Sequence, residues 1–305
     1  MRQVSTKAFT LIELLVVITV ISLLMALLFP VLRRARNQAR SVVCRTNLRQ
    51  LGMMYRTYCA ENTDGRLVPF DVAGEGTRAG FSQAYWQYII SRAYLDHQQE
   101  LTLCPMTSKP QGDNPVSGSV SGSVFKSWKE TMPNGLSHKS RPYVKFYSSY
   151  GGNSAFINPH AGRGNFFGFQ SLIKCNPATL PLFFDSKVHF GGPRVAEKDK
   201  KTTDGIGRPV PYEEQFAPAI SHMPTLVVSD AYYYYGSGYS GTICIDRHNG
   251  GINMLFADMS GRKVGLKELW KLKWNAKYDT NNSYTLAGGV QQTDWPKWMW
   301  KLSDY

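Results

Sequence analysis

The chain has 305 residues, 35 Lys+Arg against 22 Asp+Glu, a formal net charge of +13 and 43% hydrophobic residues. That composition excludes an intrinsically disordered chain, a collagen and a polytopic membrane protein. The excess charge is local: residues 1–56 hold nine basic residues and one acid, Glu13, and so carry +8 of the +13.

Residues 1–8, MRQVSTKA, form a short polar leader with Arg2 and Lys7. Residues 8–29 follow as an apolar run whose one charge is Glu13. A run of this length suits a membrane-spanning helix, which needs roughly 20 apolar residues. No small-residue cleavage site follows it; the run passes into Pro30-Val31-Leu32-Arg33-Arg34, which argues against an ordinary secretory signal. An uncut anchor accounts for the run but not for Glu13. An acid within a membrane helix is costly and marks a functional site by default.

Pro30 is the one proline before Pro69 and is expected to kink the helix. Beyond it Leu48, Leu51, Tyr55 and Tyr58 recur at helical spacing, and Arg45, Arg49 and Arg56 lie on another face. Asn62-Thr63-Asp64-Gly65 is a good terminator. The expectation is one helix over 9–60, about 78 Å long at ~1.5 Å per residue. Its arginine face reads as solvated surface or as contact with acidic patches on neighbouring subunits. No DNA-reading motif accompanies the charge.

Residues 61–305 read as one α+β globular domain, an antiparallel sheet packed on the long helix. Strands are expected at 143–147, 180–185, 225–229, 242–245 and 252–256, and helices at 85–95 and 265–273. Residues 117–124 and 198–207 read as polar loops. The five cysteines, Cys44, Cys59, Cys104, Cys175 and Cys244, show no Cys-x-x-Cys spacing. Neither a zinc site nor a thioredoxin motif is therefore expected, and no cofactor is expected. No hydrolase or phosphate-loop motif occurs either, so the chain reads as a non-enzyme.

Lys7-Ala8-Phe9-Thr10-Leu11-Ile12-Glu13-Leu14-Leu15-Val16-Val17 resembles the signal of type IV prepilins and type II secretion pseudopilins. The resemblance implies a cut between Ala8 and Phe9 by a prepilin peptidase, N-methylation of Phe9, and assembly through Glu13. The family usually has Gly where this chain has Ala8. The implied partners are the peptidase, copies of itself and other pilin-like subunits, an inner-membrane assembly platform and membrane lipid. Basic residues flank both ends of the apolar run, so counting charge does not choose an orientation. The leader implies a cytoplasmic N-terminus and an exported domain, in a pilus-like or secretion pseudopilus-like filament.

Cys44 to Gly52, then Tyr58 and Asn62 to Pro69, Leu103-Cys104-Pro105 and Ser149 to Asn153 resemble landmarks of a pseudopilin-like family of Planctomycetes and related bacteria. So do His248 and Asp258, spaced as in that family's His, nine residues, Asp-Gly motif, although Met259 stands in place of the Gly. His248 and Asp258, joined by Asp246, could also form a catalytic or metal pair. The plainer reading has Ile252, Met254 and Phe256 alternating inward, Asp258 opening a turn and His248 bonded to backbone at the strand's start. On an oxidising exported side, Cys104 with Cys59 or Cys44 would staple the sheet to the helix; buried free thiols are the alternative. The aromatic clusters Tyr232 to Tyr235 and Trp295, Trp298, Trp300 and Tyr305 are core or a face for a glycan or protein partner. A membrane-anchored binding module is thus the second functional reading, and an anchored hydrolase the third.

Overall fold

A computed structural model describes residues 10–63, 100–108, 124–133, 143–153, 175–187, 190–191, 245–274, 278–282, 284–295 and 297–305, with the single residues 94 and 243. Helix α1 spans Leu11–Thr63 and runs through Pro30. Proline offers no N–H, so the bond to the Ala26 carbonyl is missing there. The chain divides into two units, Met1–Arg40 and Ser41–Tyr305. In the first, the apolar side chains from Leu11 to Leu32 are exposed. The predicted membrane segment is thus a helix long and apolar enough to cross a bilayer.

Among the described residues, the second unit contains two sheets. Strands β1 (Trp128–Pro133) and β2 (Tyr143–Ser148) form an antiparallel pair. The main sheet comprises β3 (Tyr150–Asn153), β4 (Pro181–Asp185), β5 (Phe190–Gly191), β6 (Gly251–Phe256) and β7 (Gly261–Gly265), in the order β5-β3-β4-β6-β7. Every pairing in it is antiparallel except β3 with β5, which is parallel. The expected α+β architecture holds, with one parallel edge that the sequence does not announce.

Both faces of the main sheet are covered. On one face Cys44, Leu48, Leu51, Tyr55 and Cys59 of α1 pack with Tyr150, Leu182, Phe183 and Leu255. The helix stripe therefore runs through the two cysteines, and Tyr58 lies at its edge, half-buried. Arg49 and Arg56 are exposed and Arg45 is half-buried, which fits both a solvated surface and a contact face for neighbouring subunits. On the other face Phe184, Ile252, Met254, Phe256 and Val264 pack with Leu269, Trp270, Trp274 and Trp295. The alternating residues of β6 thus point away from α1, while Leu255 and Asn253 point toward it. Leu182 and Phe183, neighbours in sequence, both join the helix-facing core. A register shift between Pro181 and Phe183 in the β4–β6 ladder breaks the alternation there.

The strands expected at 143–147, 180–185 and 252–256 form; that at 225–229 lies outside the described residues. Of 242–245, Ile243 and Ile245 are described; neither lies in a strand and both are buried. The helix expected at 85–95 lies outside the described residues except for Tyr94. That expected at 265–273 is a short 3-10 turn, Lys267–Lys271. Leu269, Trp270, Leu272 and Trp274 are all buried there. That density of large residues follows the sheet surface rather than one stripe of an α-helix. Between β6 and β7, Asp258 accepts a hydrogen bond from the Ser260 N–H at 2.8 Å, so it does open the turn. Met259 then adopts φ 67°, the left-handed region that favours glycine.

Gly52 sits where α1 crosses β6. A Cβ there would overlap Leu255 Cδ2 and press on Met259 Sδ. Leu255 is fully buried, so moving its side chain aside would press on the surrounding core. Gly52→Val is therefore expected to cost about 1–3 kcal/mol through overpacking. Denaturant unfolding of the full chain in detergent checks this; an unchanged midpoint would show that helix and strand do not approach so closely.

Candidate functional site

Two places carry functional information: the start of α1, and a polar cluster between α1 and the main sheet. At the helix start, the Thr10 N–H and Thr10 Oγ1–H both donate to Glu13 Oε2 at 2.8 Å. The Glu13 N–H donates to Thr10 Oγ1 at 3.2 Å in return. This is a reciprocal capping box, which satisfies two donors that a helix start otherwise leaves bare. Glu13 thus has a local partner in addition to any partner in an assembly. Ala8 and Phe9 lie outside the described residues.

The cluster is assembled from four separate segments. Cys44 comes from the buried stripe of α1. Cys104 follows a 3-10 turn, Glu100–Thr102. Asp185 ends β4, and His248 lies just before β6. All four are buried, and their ligand-type atoms lie within 4.8 Å of one another. Asp185 is the hub. Its Oδ1 accepts from Arg247 Nη1 at 3.0 Å, and its Oδ2 accepts from the Asn253 N–H at 2.8 Å. His248 Nε2 lies 3.1 Å from the same Oδ2 and 3.4 Å from Cys104 Sγ. The Cys44 thiol donates to the carboxylate at 3.5 Å, and the Tyr150 hydroxyl donates to Cys44 Sγ at 3.4 Å. His248 Nδ1 is buried and makes no hydrogen bond.

Arg247 is wholly enclosed, yet it is well supplied with acceptors. Its Nε donates to the Val124 carbonyl at 2.7 Å, Nη1 to the Ser149 carbonyl at 2.7 Å and Nη2 to the Ser186 carbonyl at 3.2 Å. A buried cation is tolerable when its donors are met and an anion lies beside it.

These neighbours set the protonation states. Burial alone would raise the Asp185 carboxyl, but the charges of His248 and Arg247 outweigh it and hold the group at about 2. Burial opposes a charged His248 ring, but the Asp185 carboxylate pushes it up to about 9. Burial raises Cys44 well above the ordinary thiol range, and its bond to Cys104 adds to that. Cys104 moves the other way, to about 7: burial is outweighed by hydrogen bonds from Cys44 and His248 and by the Arg247 charge. The two thiols therefore divide their protons unequally, with Cys104 the readier thiolate.

Of the predicted site residues, the fold unites Cys44, Cys104 and His248. It leaves Asp258 in its turn and Asp246 capping the loop through the Gly250 N–H. The His248 ring engages Asp185 and Cys104, while its backbone N–H donates to the Gly251 carbonyl at 3.0 Å. Cys104 forms no disulfide with Cys59 or with Cys44, so neither candidate staple is formed. Cys59 packs in the helix-facing core. Absence of a Cys-x-x-Cys motif speaks only about ligands close in the chain; here the thiols meet across 60 residues.

Asp185, Arg247 and Asn253 carry no motif of their own in the sequence, and Tyr150 enters it only as part of the Ser149 to Asn153 landmark. A faint signal existed: an acid closing the apolar run Leu182-Phe183-Phe184, and an arginine beside His248. In the aromatic tail Trp295 and Met299 are buried and Trp298 packs beside them, whereas Trp300 is 39% exposed. Tyr232 to Tyr235 lie outside the described residues.

Residues 5–29 match the prokaryotic N-terminal methylation motif. No curated protein and no solved structure matches the chain. The matched segment covers the end of the leader and the exposed apolar helix together, which marks a prepilin-type precursor with a single-pass membrane anchor. A signal of this type implies processing by a prepilin peptidase and association with other pilin-like subunits.

Proposed function

We propose that the chain is a structural subunit of a type IV pilus-like or type II secretion pseudopilus-like filament, of the planctomycete type with a His, nine residues, Asp signature. The observation that carries this is the methylation motif at 5–29, seated on a helix whose apolar side chains are bare. Bare leucines and valines of that number need lipid or like helices around them. In the proposed sequence the peptidase cuts between Ala8 and Phe9 and methylates the new amine. The domain from Ser41 onward lies on the exported side, and α1 packs among its copies. The new Phe9 amine would lie about one turn from Glu13. In the filament that carboxylate then has two calls on it, its own Thr10 cap and the amine of a neighbour.

Intact-mass measurement tests the processing. Co-expression with a prepilin peptidase should remove residues 1–8 and add one methyl group; a chain that still begins at Met1 would sink the proposal. Glu13→Ala should abolish incorporation into filaments while the domain stays folded, since Glu13 touches none of the two cores. Normal assembly of that variant would remove its assigned role.

A further inference from the structure

We propose that Cys44, Cys104, Asp185 and His248 form a structural binding site for one Zn2+ ion, or a divalent ion of similar size and softness. The inference is independent of filament assembly and rests on the donor set, its spacing and its charge.

Two thiolates, one imidazole and one carboxylate form a mixed S2NO set that suits a borderline-soft ion without geometric preference of its own. Magnesium and calcium take oxygen ligands and are poorly served by sulfur. A tetrahedral centre with ligands about 2.0–2.3 Å away places those ligands about 3.3–3.8 Å from one another. Here Cys104 Sγ to His248 Nε2 is 3.4 Å, His248 Nε2 to the Asp185 carboxylate is 3.1 Å, and Cys44 Sγ to that carboxylate is 3.5 Å. Two of these three edges fall in that range and the His248–Asp185 one is slightly short of it, and all four ligand atoms, supplied by four segments rather than by one motif, lie within 4.8 Å of one another.

Charge agrees with this. Two thiolates and the carboxylate carry three negative charges; Arg247 and a divalent ion carry three positive ones. The loaded cluster is neutral, which a buried site requires. Binding releases the proton of each thiol still protonated and the proton of the His248 imidazolium that pairs with Asp185, about two to three per ion, and leaves the imidazole neutral with Nε2 as its donor atom. The outer partners are in place for two ligands: Arg247 and the Asn253 N–H hold the carboxylate, and the Tyr150 hydroxyl meets Cys44. Four protein ligands leave no open position, so the ion would lock α1 to the sheet rather than catalyse.

The test uses the full chain in detergent, purified under reducing conditions. Elemental analysis should find about one zinc per chain. Cobalt(II) added to the zinc-depleted chain should give the thiolate charge-transfer band and intense visible bands of a tetrahedral ion, with about two to three protons released per metal. Cys104→Ser should lower zinc affinity by more than the roughly 10–100-fold that loss of an outer partner costs, whereas Cys175→Ser should leave it unchanged. Should Cys104→Ser fail to fold, the cobalt spectrum of the unaltered chain still decides. A folded, reduced chain that binds neither metal, or binds cobalt with an octahedral oxygen spectrum, overturns the proposal. So does a natively isolated chain two hydrogens lighter, with Cys44 and Cys104 joined by a disulfide and no zinc.

Discussion

Arg247→Met should lower the stability of the domain by about 3–5 kcal/mol, the cost of breaking one side of a buried ion pair. The guanidinium is enclosed and, among the described residues, serves the Asp185 carboxylate and the carbonyls of Val124, Ser149 and Ser186. Methionine fills similar volume but meets none of them. Asp185 would remain at zero exposure with its main permanent cation gone, and three carbonyls would lose donors. For a domain of this size the loss corresponds to a melting temperature lower by roughly 10 °C. The measurement is thermal unfolding of the full chain in detergent with a chelator present, so that bound metal does not enter the difference. The double variant Arg247→Met with Asp185→Asn should lose less than the two single changes together, because they share one interaction. Additive losses, or a shift of Arg247→Met below 1 kcal/mol, would show that the pair is not what holds the cluster.

Trp270→Ala should cost about 3–5 kcal/mol by cavity formation on the other face of the sheet. The ring is fully buried and lies 5.1 Å from Trp295 in an edge-to-face arrangement and 5.6 Å from Tyr284. Such pairs add about 0.5–1.5 kcal/mol beyond area burial. The Trp270 carbonyl also accepts from Tyr278 and Asn282, which ties the following loop to it. Removal should therefore loosen the C-terminal segment as a unit, seen as lost near-ultraviolet dichroism and faster amide exchange from Tyr278 onward. Trp300→Ala, at a side chain 39% exposed, should stay within about 0.5 kcal/mol of the parent. Equal effects at the two positions would contradict the assignment of Trp295 and Trp270 to a core and of Trp300 to the surface.

The long helix was legible because its signals are local. Twenty apolar residues with one acid, then an amphipathic stripe ended by Asn-Thr-Asp-Gly, need no partner to be read. Three of the strands were legible for the same reason, as short apolar runs between turn residues. Their facing was not. Ile252, Met254 and Phe256 alternate as expected, but alternation alone does not say which of two covered faces they occupy. The C-terminal segment, read as a helix and an aromatic tail, proved to be the second cover. Strand β7 escaped notice because one of its five residues, Val264, is buried. Glu13 was legible as an anomaly, while its capping partner Thr10 three residues earlier was overlooked.

Taken alone, the sequence determined the prepilin-type signal, the anchor helix and the α+β class, all of which rest on periodicities and motifs within about a dozen neighbouring residues. Tertiary structure alone decided the chemistry at the centre. Cys44, Cys104, Asp185 and His248 are dispersed over 205 positions and share no spacing rule. They become one site because a helix stripe, a loop, a strand end and a strand start converge where the sheet meets α1, and Arg247 makes burial of an acid there tolerable. The same convergence changes the meaning of the positive charge: most of it flanks the anchor, and the one arginine that the core cannot lose is none of those.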